Sequence, residues 1–319
     1  MQENLYGSLY WRQLGTQVTI PRGHQDKVKL SRWNTPITIT NGQAALNANT
    51  AIVKHAEATA ISTFGLCATN ITGQVTGWAG ARGYTDKFVI MSMANFMEGA
   101  LESLSRELAI RLDAYARTKN SAVAFTQYAV SVAGVKPTAN KVPTANALFG
   151  KNLARIRPLM KANGCPAWSD GTYVGLCHDL SYHDMVTDIS ASGWLSVARY
   201  NNAREIFKGE MGEFHGIRWL FTNTSVLRLY GAAGTTATLG LSAAATGSNA
   251  YIFSPDSFYN LELETGGVEV IHQPLGSAGT ADPGAQLGSI AVKVYSGVMP
   301  TAVADRRIMR FVHGNPLGY

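Results

Sequence analysis

A chain of 319 residues with 46 % hydrophobic residues, 15 % charged residues and 32 glycines can bury a substantial core, and its composition excludes disorder as the general state. The charged share lies well below the about 25 % usual for freely soluble domains, which points to a surface covered by other molecules in the working state, while a net charge of +6 spread along the chain does not describe a dedicated nucleic-acid reader. Three cysteines, Cys67, Cys165 and Cys177, without a C-x-x-C pair exclude a disulfide framework and a thiolate zinc knuckle, and the uncharged stretch Gly231 to Pro255 is too rich in Gly, Ala, Thr and Ser to span a membrane.

Residues 1–30 mix aromatics, glycine and isolated charges with neither a 3.6 nor a 2.0 period, so they present no face of their own to bury. They are expected to form an extended arm that gains order by lying on a neighbour. No charged n-region followed by an apolar h-region opens the chain, so the reading is a protein made and assembled in the cytosol. From Ser31 to Tyr84, short β-prone pieces such as Pro36 to Thr40 are separated by Asn41-Gly42 and by several glycines, which predicts a hairpin-like excursion. It holds too few large apolar residues for a core and should rest on another subunit.

Asp86 is placed to cap a long helix over Lys87 to Lys119. Met97, Leu101, Leu104, Leu108, Leu112 and Tyr115 recur at spacings of three and four and give one apolar stripe. Glu102 with Arg106, Glu107 with Arg111 and Asp113 with Arg117 stand four apart with the acid first, the better orientation for helix pairs. Such a helix would run about 50 Å, a strut rather than an ordinary packing element.

Ser121 to Val135 reads as a strand region, and Pro137 and Pro143 mark a linker and domain boundary. A second helix is expected from Thr144 to about Met160, bent by Pro158. A buried strand at Thr172 to Cys177 leads to a short helix at Leu180 to Ile189, and another strand at Gly216 to Asn223 follows the turn Gly209, Glu210, Met211, Gly212. Gly231 to Asn249 is a low-complexity loop, after which strands resume at Ala250 to Phe253, Val268 to His272, Ile290 to Tyr295 and Arg307 to Val312.

Chemistry finds little purchase. His178 to Asp184 is the densest ionisable cluster, and on a helix it would stack Asp179 over His183 at a ligand-like spacing. It lacks a third ligand, so a strand end followed by a helix whose first turn welcomes Asp179 is the better reading. Cys177 and His178 are sequence neighbours on a strand and point to opposite faces, which argues against a thiol nucleophile. Phosphate-loop, dinucleotide and nucleophile-elbow motifs do not occur. Lys208 to Gly212 reads as a turn needing positive φ at Gly209 or Gly212 rather than as a phosphate cradle. No catalytic residue, metal or cofactor is therefore expected. Trp11, Trp33 and Trp78, lying in an arm and a hairpin without cores, look like anchors for partner pockets.

An extended arm, a hairpin excursion, a spine helix, a mixed α/β domain and returning strands, in that order, resemble the capsid proteins of tailed phages with the Hong Kong 97-like fold. Gly171 to His178, then Trp194, Tyr200, Ile206 to Gly212 and Gly216 to Arg218, followed by Asp282-Pro283, Gly288 and Lys293, are similar to that family's packing signatures. The resemblance implies an α+β fold with an N-arm at 1–30, an E-loop at 31–84, a peripheral domain with the spine at 85–143, an axial domain at 144–267 and strands returning to the peripheral domain over 268–319. It further implies a structural protein of the virion, self-assembling into hexamers and pentamers of an icosahedral head around double-stranded DNA. Portal, possible decoration proteins and a separate scaffolding protein would be its partners, since the arm is too short to hold a scaffold. Lys54 would be the hairpin lysine available for subunit contact, and Gly83 and Pro137 would be hinges as the shell expands. Two other readings are an encapsulin-like compartment shell and a metal-dependent enzyme built on His178 to Asp184.

Overall fold

In a computed structural model, the described residues are 10–21, 27–33, 37–40, 43–46, 68–91, 96–121, 125–129, 150–179, 181–182, 185, 210–222, 228–229, 247–264, 267–277, 282, 284–300 and 307–314. The chain opens with a short helix α1 (Tyr10–Gln13) and strands β1 (Thr16–Ile20) and β2 (Lys27–Trp33). A hairpin of β3 (Ile37–Thr40) and β4 (Gln43–Leu46) follows, then β5 (Ala68–Gln74) and β6 (Thr76–Thr85). Two helices come next, α2 (Asp86–Met91) and α3 (Phe96–Ser121), then β7 (Thr126–Tyr128) and helix α4 (Gly150–Ala162). The remaining strands are β8 (Tyr173–His178), β9 (Glu210–Phe214), β10 (Ile217–Thr222), β11 (Arg228–Leu229), β12 (Gly247–Phe253), β13 (Phe258–Leu263), β14 (Glu269–Gln273), β15 (Leu287–Pro300) and β16 (Ile308–Gly314). The class is α+β, as the resemblance implies.

These elements gather into two units, each assembled from three separated stretches of chain. The first takes residues 1–30, 72–120 and 258–300, and the second takes 31–71, 121–257 and 301–319.

The first unit is built on β15. Its long ladder with β6 runs from Leu287 opposite Thr85 to Ser296 opposite Thr76. β14 and β13 occupy successive stretches of its other edge, both antiparallel, and β1 adds outside β13 in parallel register. Alternation along these strands decides the packing. Ile290 and Val292 of β15 and Tyr84 of β6 are buried with Ala100 and Leu104 of α3, so the spine helix lies on that face. The span expected as one strut is helical wherever it is described, over Asp86–Met91 and Phe96–Ser121, and 92–95 lie outside the described residues. The buried line on α3 is Ala100, Leu104, Leu112 and Ala116, while Met97 is exposed. Of the expected stripe, Leu104 and Leu112 are buried and Leu101 and Leu108 pack partly buried against the same cluster, while Ala100 and Ala116 are buried positions that the stripe did not include. Of the three expected ion pairs, Glu102 with Arg106 is present at 3.5 Å. Glu107 instead meets Arg82 of β6 at 3.2 Å, since it projects toward the sheet edge.

In the second unit a mixed sheet has the order β7-β16-β12-β8-β10-β9, with β11 also on β12. β8 and β10 run parallel, and all six residues of β8 are buried, as expected of a strand covered on both faces. Leu153, Ile156 and Met160 of α4 join Tyr173, Cys177, Ile217, Trp219, Ile252 and Phe311 in one core. Pro158 lies inside the last turns of α4 and does not end it. The expected helix after β8 is seen at Asp179, Ser181, Tyr182 and Met185, and residues 144–149 and 231–246 of two expected elements lie outside the described residues. β12 begins at Gly247, inside the segment expected to be loop, and β13 was not expected at all.

Candidate assembly surface

The arm residues Tyr10 to Ile20 are fastened to their own unit. Trp11 is fully buried, which uses up the ring proposed for a partner pocket. The Arg12 amide donates to Asp113 Oδ1 on α3 at 3.3 Å, and Asn260 Nδ2 donates to the Arg12 carbonyl at 2.6 Å. The Arg12 guanidinium pairs with Glu262. A Cβ at Gly15 would collide with the Phe258 ring and the Asn260 amide, so this glycine allows the close approach that seats β1 on β13. Asp113, expected to pair with Arg117 on the helix surface, is instead buried beneath the arm, and burial pushes its carboxyl up to about 6 against the pull of the Arg12 and Trp11 backbone and of Arg117 and Arg12. Sequence spacing could not show this, because the arm that covers the residue is a hundred positions away.

The other proposed contact residues are placed as follows. Trp78 is half-buried on the helix side of β6, edge-on to Tyr115 with ring centroids 5.1 Å apart, and its indole N–H donates to the Ser296 carbonyl at 3.3 Å. Trp33 ends β2, but its side chain is outside the description, as is all of Lys54. Gly83 sits inside the β6–β15 ladder opposite Ser289, so bending there would break ladder hydrogen bonds; the expected hinge meets a continuous strand. Pro137 lies outside the described residues.

The turn expected over Gly209, Glu210 and Gly212 is corrected. Gly209 is not described, and Glu210 and Gly212 belong to β9. Glu210 stands opposite Leu220 and Gly212 opposite Trp219, a bulge that leaves Met211 unmatched. Gly212 does take positive φ, 132°, but to make the bulge. The turn itself is His215-Gly216, with φ of 53° and 73°, joining Phe214 to its partner Ile217. Positive φ at both central positions is the hairpin geometry whose twist suits the flanking strands.

Of the ionisable cluster His178 to Asp184, the structure describes His178, Asp179, Ser181 and Tyr182, and the expected stacking of Asp179 over His183 lies outside the described residues. His178 ends β8 and is buried, and so are Ser181 and His313. His313 Nδ1 donates to the Gly314 carbonyl at 3.1 Å, leaving Nε2 to accept from the Ser181 hydroxyl at 3.5 Å. That arrangement fits the neutral ring, and burial together with His178 lowers His313 to about 4. Burial likewise pushes the Cys177 thiol up, the opposite of what a nucleophile requires. Among the described residues, no three His, Cys, Asp or Glu side chains converge as a metal site, and no helix is long and apolar enough to cross a membrane.

Exposed apolar residues concentrate in the first unit. On α2, Phe88, Val89, Ile90 and Met91 are 49, 45, 81 and 70 % exposed, and Leu287 beside it is 54 % exposed. All five residues of β14 are exposed, among them Val270 and Ile271. The sequence signal was present in the run FVIM: four consecutive large apolar residues span every side of a helix, and one packing face cannot bury them all.

No family model and no curated protein matches the sequence. Solved structures do match the fold across nearly the whole chain. The capsid of Ralstonia phage GP4 superposes with a TM-score of 0.64 at 13 % identity, covering 95 % of this chain and 87 % of that one. The capsid asymmetric unit of cyanophage Pam1 gives 0.63 at 12 % identity, over 94 % and 89 %. The capsid of a native GTA particle gives 0.58 at 13 % identity, over 96 % and 90 %. At these identities the shared property is the architecture: this chain has the Hong Kong 97-like fold of phage capsid proteins.

Proposed function

We propose that the chain is the major capsid protein of a tailed phage, a structural protein without enzymatic activity that assembles in many copies into the head. The observation that carries this reading is the likeness to capsid structures over 94 to 96 % of the chain, nearly end to end in both partners. Hexamers and pentamers would tile an icosahedral shell around double-stranded DNA, assembling in the host cytoplasm on a separate scaffolding protein, with a portal at one vertex and room for decoration proteins. The division into N-arm at 1–30, E-loop at 31–84, peripheral domain, axial domain at 144–267 and returning strands belongs to this proposal. So do Trp33 and Lys54 as subunit contacts and a hinge near Pro137.

The energetics suit such a role. A two-stranded hairpin such as β3–β4 is marginal in water by itself, so it gains most when laid on another subunit. Many modest contacts then hold each copy by avidity instead of one tight interface. The test is to express the full chain alone and with a candidate scaffolding protein, image the products by negative-stain microscopy, and extract nucleic acid from nuclease-treated virions that contain it. Closed shells and protected double-stranded DNA are expected. Particles that enclose protein cargo and no DNA would instead support the compartment reading, and a strictly monomeric product would overturn both.

A further inference from the structure

The exposed apolar surface on α2 and at Leu287 has a chemistry that narrows its partner. Four large apolar residues in succession on α2, none of them buried, cannot all be covered by one packing face of a helix. Yet α2 is held in place. The Asp86 amide donates to the Gln286 carbonyl at 3.0 Å, and the Phe88 amide donates to Thr85 Oγ1 at 3.3 Å. Leu287, paired with Thr85 across the ladder, extends the apolar surface, and its own amide donates to Asp282 Oδ2 at 2.6 Å. The Ala285 amide closes the same tip onto the Asp282 carbonyl at 3.0 Å. The patch is therefore a set of apolar side chains presented on a pinned scaffold, the arrangement expected of contact residues ordered before binding.

Its rim narrows the partner. Asp86 and Asp282 carry negative charge and Lys87 positive, so the rim is mixed in sign. A polyanion such as DNA would be repelled by the carboxylates and would waste the apolar surface. A second identical surface, or another part of the same chain, brings Lys87 toward carboxylates and buries apolar residues on apolar residues. We infer that Phe88 to Met91 and Leu287 form a contact covered by a second copy of this chain in the assembled shell. This rests on the capsid reading above and deepens it by naming the residues and the occupant.

The test uses an Ile90→Cys variant in a Cys67→Ser background, because Cys165 and Cys177 are buried. Maleimide labelling is followed on free subunits and on shells formed from this chain alone. Labelling is expected to be rapid on free subunits and slowed at least tenfold in shells. Equal rates in the two would overturn the inference, as would protection that appears only after a decoration or scaffolding protein is added. Ile90→Asp is the second variant; with Ile90 81 % exposed, the subunit should keep its near-ultraviolet circular dichroism while shell yield falls at least tenfold. Wild-type shell yield from that variant would also overturn it. If the unsubstituted chain forms no shells under any condition, the capsid reading falls first, which separates the two failures.

Discussion

At Asp113 and His313, burial sets opposite responses to acid. Asp113 titrates at about 6 in the folded chain against an ordinary 3.8, so the folded form holds its proton over a range where the unfolded form has lost it. Its contribution is complete below about 4 and is lost as pH rises through about 6. At about 1.4 kcal/mol per pKa unit the loss is on the order of 3 kcal/mol. Asp113→Asn should abolish that slope, measured as the denaturation midpoint of the first unit between pH 4 and 7; an unchanged slope would show that the carboxyl is not buried under the arm. His313 runs the other way. Its folded value of about 4 lies below the ordinary 6.5, so its contribution is present above 6.5 and lost as pH falls toward 4. An imidazole carbon-bound proton resonance that stays at its neutral position down to pH 5 is the expected signature. Trp11→Ala should cost about 3–5 kcal/mol, the range for deleting a large buried ring. It should also expose the arm to proteolysis, and wild-type resistance would place the indole outside the core.

Among the elements, close approach matters more than hydrophobic content. Gly175 on β8 lies opposite Trp219 on β10, and a Cβ there would meet the indole at 2.8 Å. Gly175→Val should therefore force the sheet apart at a cost of about 1–3 kcal/mol, read as a lower chemical denaturation midpoint; a variant as stable as the parent would mean that Trp219 has room to move. The His215-Gly216 turn is equally constrained. Gly216 has φ of 73°, and a Cβ would press on the Arg157 side chain at 2.8 Å. Sequence reasoning placed the turn at Gly209 to Gly212 because glycines flank an acid there. It could not distinguish a turn from a bulge, since both require glycine at positive φ, and the cross-strand partner that decides between them is known only once β9 and β10 are paired. The spine shows the same limit: its helix was legible from the spacing of Leu101, Leu104, Leu108 and Leu112, but that Ala100 and Ala116 are buried beside Leu104 and Leu112 is decided by the distant segments that lie against the helix.

On the scale of the whole chain, the low charge and the coreless first eighty residues carried the expectation of assembly, and both are properties of sequence. The sequence by itself determined the spine helix, the buried strand β8, the returning strands and the absence of familiar catalytic motifs, because periodicity, glycine placement and composition act locally, and the α+β class followed from the family resemblance that the order of these elements carries. Only the tertiary structure decided that Trp11 serves its own chain, that Asp113 lies under the arm, that Gly83 is locked in a ladder, and that the run FVIM stands out in solvent. Each of those outcomes depends on which distant segment covers a residue, and three stretches separated by scores of residues must come together before any of them is settled.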